Sequence, residues 1–311
     1  GGDALTIYKK PMDLGDVGAS TDLAVFSAPV NEVVVSNENE FYQALKTVEP
    51  GEHIVLSAGI YRFSRRSPKI RRSGTMSQPI TIRARELEDV IFEMDLVEGL
   101  LIMGSHLHIR NIVFRGIKGS DAKIEHAMHI VGNADFVTIE NNQFVNFNSH
   151  IKSNGYPNKS NGIDFPDRLK IINNDFFNEW PRKTKSPTTP IDIVGGDNTL
   201  IKNNFIADFA KAKKDGYWMA TGAFLKGGGK RGVFDNNVVM CEWKIPHASP
   251  REVRIGLSFG NGGTGPQFCA DKKCEYEHVD GVMRNNTILN CINDVGIYLN
   301  KSKNTLIENN A

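Results

Sequence analysis

At 311 residues the chain is above the usual size of one domain, and 37 basic against 36 acidic side chains leave a formal net charge of +1. That balance gives no global attraction for polyanions, and a nucleic-acid partner is not expected. No run of 18 apolar residues occurs, so no membrane span is expected, and four cysteines are too few for a disulfide scaffold.

Residues 1–33 have no clear period and scatter proline, glycine and aspartate, which predicts an extended arm laid along the fold or a partly mobile leader. No signal peptide is visible, but Gly1-Gly2 reads as an engineered start, so a signal peptide is expected to have been removed and the protein to be secreted or periplasmic. The remaining 34–311 is expected to form one body. Its first element is a helix over 37–49. Asn37-Glu38-Asn39-Glu40 has the form of a capping box, Phe41, Ala44, Leu45 and Val48 follow at helical spacing, and Pro50-Gly51 stops the run. Short strands follow at Gly51–Tyr61 and Pro79–Ala84. Between them lies a dense basic loop with Arg62, Arg65, Arg66, Lys69, Arg71 and Arg72. It is either a solvated loop or a rim that attracts an anionic sugar chain through guanidinium pairs with carboxylate or sulfate.

From residue 107 onward the chain is organised by asparagines. Asn111 comes first, and the pairs Asn141-Asn142, Asn173-Asn174, Asn203-Asn204, Asn236-Asn237, Asn285-Asn286 and Asn309-Asn310 follow. Each pair follows a short apolar alternation, such as Val137-Thr138-Ile139, and all but the last precede another, such as Phe144-Val145. The second asparagines step by 32, 30, 33, 49 and 24 residues. Such a period signals a solenoid or array, and no repeat carries a credible helix. Strands of three to five residues with period-two alternation predict a single parallel β-helix, with the helix 37–49 capping its open first coil. Asparagine tolerates a left-handed backbone at the bends, and one per coil is expected to stack into an amide ladder. The 49-residue step demands an insertion, expected at 257–280.

The middle coils offer His126, His129, His150, Asp164, Asp167, Asp192 and Asp197 as groove-facing groups. Asp164 and Asp192 each sit in an Ile-Asp dipeptide, which predicts stacked surface positions. Further on, Lys226 precedes Gly227-Gly228-Gly229, where a ligand can approach the backbone closely. The insertion carries a glycine-rich run and Cys269-x4-Cys274 ahead of Glu275-Tyr276-Glu277-His278, a lid or groove wall that a disulfide would staple. Cys241 and Cys291 are expected as buried free thiols.

Val33–Asn37, the helix, Pro50-Gly51, Gly59-Ile60-Tyr61 and Gln78–Ile82 resemble the start of the chondroitinase B and alginate lyase family, the family-six polysaccharide lyases. Glu252-Val253-Arg254-Ile255-Gly256 resembles that family's Gly-Ile-Arg-Ile-Gly strand, and Ile297…Lys301-Ser302 its Ile-Ile…Lys-Ser stretch. The resemblance implies a right-handed β-helix that cleaves a uronate-containing polysaccharide by β-elimination. It implies Lys301 as base and Arg254 as carboxylate partner; Lys226, beside its three glycines, and His278, behind the insertion, are further catalytic candidates by their own setting. Arg65, Arg66, Arg71, Arg72, Tyr298 and Glu277 would bind substrate. Of the family's three calcium ligands only Asp294 remains. The others map to Gly296 and to His247 or Ala248, so calcium is not expected to bind as it does in that family. The family's catalytic arginine would lie beyond Ala311. A non-catalytic glycan-binding β-helix stays open for that reason, and behind it a glycoside hydrolase or a uronate C5 epimerase. The sequence ends inside a coil, so either the chain continues or oligomer contacts protect its end.

Overall fold

A computed structural model describes Lys10 and residues 14–21, 27–213 and 218–311. The rest of the predicted arm lies outside the described residues. Among the described residues, the fold is the expected parallel β-helix: a ten-stranded sheet and two eight-stranded sheets, each built of parallel rungs one coil apart. The ten-stranded sheet starts at Asn31–Val35, which pairs with Glu52–Leu56. A boundary at 33/34 therefore falls inside a strand, because alternating Val33 and Val35 supply the first rung ahead of the helix.

The single α-helix of the described residues is Glu38–Thr47. The Asn37 side chain accepts from the Glu40 N–H at 2.9 Å, as the capping signature requires. Phe41 turns inward and meets Phe63 and Phe92 at ring-centroid distances of 6.0 and 5.3 Å. The helix thus covers the aromatic end of the core. Below it Phe92, Phe114, Phe144 and Phe176 stack coil on coil at 5.3, 4.9 and 4.8 Å.

The asparagine pairs divide labour. The first members, with Asn111, all have φ between 54° and 60°, so they make the turn. The second members form the ladder. Asn142 Nδ2 donates to Asn174 Oδ1 at 3.2 Å, and the same bond runs on through Asn204, Asn237, Asn286 and Asn310 at 3.1, 3.1, 3.0 and 2.9 Å. Each ladder oxygen also accepts the backbone N–H of the asparagine on the preceding coil. The described part of the arm crosses these turns: Ser20 bonds Asn141, Gly18 N–H donates to Asn203 O, and Lys10 reaches Asp175 at 3.3 Å.

Two disulfides are formed. Cys269–Cys274 staples the insertion as expected. Cys241–Cys291 corrects the free-thiol expectation: each follows the strand after an asparagine pair, on coils one step apart, so stacking brings their Cα atoms to 5.0 Å. The insertion itself is shorter than 257–280. The strand Val253–Phe259 runs through 257 because Leu257 and Phe259 fill the core, and the loop proper is 260–277.

Candidate functional site

One eight-stranded sheet bears the site. Its inward residues, such as Ile102, Ile130, Ile193 and Leu225, belong to the core. By strand alternation the residues between them point outward. Register aligns Lys69, Leu101, His129, Lys152, Asp192, Phe224, Ser258 and Tyr298 in one outward row, a coil apart each time. Lys226 lies two residues beyond Phe224, in line with Val194 of the previous coil.

The row is a chain of charge pairs. Glu98 and Asn154 take the two ring nitrogens of His129, and this hydrogen bond holds the Glu98 carboxyl below its usual range. Lys152 Nζ bonds Asp192 Oδ1 at 2.9 Å. His126 stands 5.2 Å from His129, bonds Ser149 O, and is pushed down to about 4 by burial. Lys226 Nζ lies 4.6 Å from the centroid of the Phe224 ring. Burial lowers its pKa most; Lys152 adds to this, while Asp192 and Glu277 oppose it.

The insertion walls this row. Gly227 O accepts from Ala270 N–H at 3.0 Å and Gly228 N–H donates to Glu277 O at 2.9 Å. The glycines beside Lys226 thus admit the stapled loop itself, with φ values of 74° and 84° that a side chain would strain, rather than a ligand. Glu277 is buried, accepting from Thr264 Oγ1 at 3.0 Å.

The other predicted residues scatter. Arg254 is fully buried near the upstream end of the sheet. Its guanidinium donates to Cys241 O, Ile245 O and Pro246 O and pairs with Glu252, so it organises the 241–252 loop and has no fork left for a substrate carboxylate. Lys301 lies past the other end, at the bend leading into Ser302–Lys303, exposed and with φ 53°. Continuing the register that pairs Leu257 with Ile297, the two residues stand seven strand steps apart, roughly 20 Å. The fold does not bring them side by side. His278 is buried, stacked on Phe259 at 4.6 Å, and accepts from Gly232 N–H at 3.0 Å. Burial takes it down to about 4. Tyr298 is in the row, its hydroxyl accepting from Asn300 at 3.2 Å. Arg66 stacks on Tyr42 at 4.0 Å and Arg72 pairs with Glu49 at 2.6 Å, tying the basic loop to the capping helix, while Arg65 and Arg71 are exposed.

Asp192 reaches the row, but Asp164 does not stack on it. Asp164 sits in a hairpin, Tyr156–Pro157 against Ile163–Asp164. Asp135, Asp167 and Asp197 form a second ladder, each carboxylate accepting the N–H one coil on at 2.7 to 3.0 Å. His150 is buried beneath Phe177 O and points into no groove. Lys152, Phe224 and Ser258 were missed, because only the register reveals that they share a row.

Calcium does not fit the positions the family resemblance suggests. Asp294 is exposed in a turn, Gly296 offers no side chain, and His247 is bonded to Glu242 at 2.7 Å. Among the described residues the one cluster of three ligand-type side chains is Cys269, Cys274 and Glu277, whose thiols are bonded to each other.

The family model for chondroitinase B matches residues 35–205. No curated protein sequence matches the chain. Pectate lyase Pel9A is similar in structure with a TM-score of 0.54 at 12% identity, over 93% of this chain and 81% of that one. GH136 lacto-N-biosidase from Eubacterium ramulus gives 0.59 at 11%, over 90% of this chain and 55% of that one. The PL6 family alginate lyase AlyGC gives 0.38 at 14%, over 86% and 40%. At such identities the first two likenesses speak for fold alone. The matched segment contains Lys69, His129, Lys152 and Asp192 and stops before Lys226, Arg254 and Lys301. It spans more than half of the sequence, and the chain belongs to the chondroitinase B family.

Proposed function

We propose that this chain is a polysaccharide lyase, cleaving a uronate-containing anionic polysaccharide by β-elimination across the outward row. The reaction must neutralise the C6 carboxylate, remove the C5 proton and protonate the leaving O4. The observation that carries the reading is Lys226, a half-buried lysine two residues along its strand from the row of polar and aromatic groups. Burial lowers its pKa, so a neutral amine able to take the C5 proton forms below the usual lysine range. Lys152 supplies a cation for the carboxylate. Tyr298, whose hydroxyl already accepts from Asn300, has its own proton to offer O4. Lys301 is the rival base. It stands two coils from Lys226, roughly 10 Å away, so both can flank one short stretch of polymer. Arg65, on the loop leading into Lys69, and Arg71, directly after Ile70, extend the same sheet toward an anionic chain.

A non-catalytic glycan-binding role is the second reading, and the engagement of Arg254 with loop carbonyls favours it. The two disulfides support an oxidising compartment, secreted or periplasmic. Incubation with alginate, dermatan sulfate, pectate and heparinoids, followed by ultraviolet absorbance of unsaturated uronate, tests the proposal. Turnover on one of them, lost by at least a hundredfold in Lys226→Ala and kept in Lys301→Ala, is expected. Turnover kept in Lys226→Ala and lost in Lys301→Ala moves the base to Lys301. No absorbance on any polymer ends the lyase reading.

A further inference from the structure

A cluster of lysines around an aromatic ring lies outside the row. An open cavity of about 540 Å³ is lined by Lys118, Asp121, Lys123, Trp180, Lys183 and Ala212, among others. Its loops, 117–127 and 178–190, lead into the strands that carry His129 and Asp192, so it borders the upstream margin of the same sheet. Trp180 is half-buried and fixed. Its indole N–H donates to both Asp121 carboxylate oxygens at 3.2 Å, and Arg182 lies 5.6 Å from the ring. Lys118 stands over the ring at 5.8 Å.

The charge here is one-sided. Asp121 is consumed by Trp180, by the Lys183 N–H at 2.9 Å and by buried Arg182 at 3.5 Å. Glu179, next in the chain, turns away to Asn146 at 2.7 Å. Lys118, Lys123 and Lys183 are exposed around the ring. A rigid aromatic plate beside three ammonium groups suits the apolar face of a sugar ring bearing carboxylate or sulfate.

We propose that Trp180, Lys118, Lys123 and Lys183 form a remote subsite that holds an anionic sugar unit of the polymer, upstream of the point of cleavage. The inference rests on the lyase reading for its ligand class and not for its geometry. Because the contact is remote from the reacting atoms, it contributes equally to ground and transition states and affects KM more than kcat.

Affinity electrophoresis through gels containing alginate, dermatan sulfate or pectate tests binding directly. Wild type should be retarded by one of them. Trp180→Ala and the triple variant Lys118→Ala/Lys123→Ala/Lys183→Ala should each weaken that retardation about tenfold, and Trp180→Phe should keep most of it. Circular dichroism melting confirms that the variants fold, and the exposed lysines guard against a folding artefact at Trp180. In turnover assays Trp180→Ala should raise KM on polymer, leaving kcat and the turnover of short oligomers near wild type. Retardation lost in the variants of a protein without lyase activity keeps the subsite and sinks only the lyase reading. Unchanged retardation in both variants, or no retardation of wild type, overturns the subsite.

Discussion

Lys226 and Arg254 show how burial decides what a basic side chain does. Both sit on one sheet, yet Arg254 is enclosed by three carbonyls and a glutamate, while Lys226 has the Phe224 ring and no saturating set of acceptors. A buried amine loses its proton more readily, so Lys226 has a lowered pKa in the folded protein. As the proposed base, Lys226 would work unprotonated, so activity should rise with pH and level off below the 10.5 of an ordinary lysine. Replacing Asp192 by Asn removes the carboxylate that opposes this shift and should move the rising limb to lower pH. A pH–rate profile in which Asp192→Asn moves the limb upward contradicts the assignment.

At the scale of the element, the ladder is costly to disturb. Asn204 is fully buried and meets both neighbours through its amide: it donates to Asn237 Oδ1 and Ile171 O and accepts from Asn174. Asn204→Leu leaves those groups unpaired and should destabilise the fold by about 1–3 kcal/mol in chemical denaturation. Loss of less than ~0.5 kcal/mol would mean that the rungs do not act together. This element was also the most legible in the sequence, since asparagine at a left-handed bend has few substitutes and repeats at a readable period. The cap was legible for the same kind of reason, a local hydrogen-bond signature at Asn37. The row of Lys152, Asp192, Phe224 and Tyr298 was not. Loops of unequal length precede each of its strands, so which residues stand in register cannot be counted from the asparagines. Arg254, taken from motif resemblance, is held in place by the loop before it, and His278 by Phe259 and Gly232.

For the molecule as a whole, the stack of coils provides cations on and beside one sheet, from Lys69 and Arg71 to Lys226 and Lys301, and among the described residues no cage of oxygens at the positions the family resemblance gives calcium. A divalent cation should therefore be dispensable. Chelation by EDTA is expected to leave both the melting temperature and turnover unchanged, and calorimetry with calcium should show no stoichiometric binding that Asp294→Ala removes. A melting temperature that falls by several degrees on chelation would refute this.

The Cys241–Cys291 bond also changes how such a stack would come apart. Coils touch only their neighbours, so a solenoid pulled at one end peels like a zipper. Tension applied at Ala311 strips residues 292–311, roughly 70 Å of slack, and then meets a covalent stop. From there the load jumps to Cys241 and bypasses the chain between the two sulfurs. The stapled loop beside Lys226 and the Asn285-Asn286 turn lie inside that bypass, and the wall of the groove carries none of the pull.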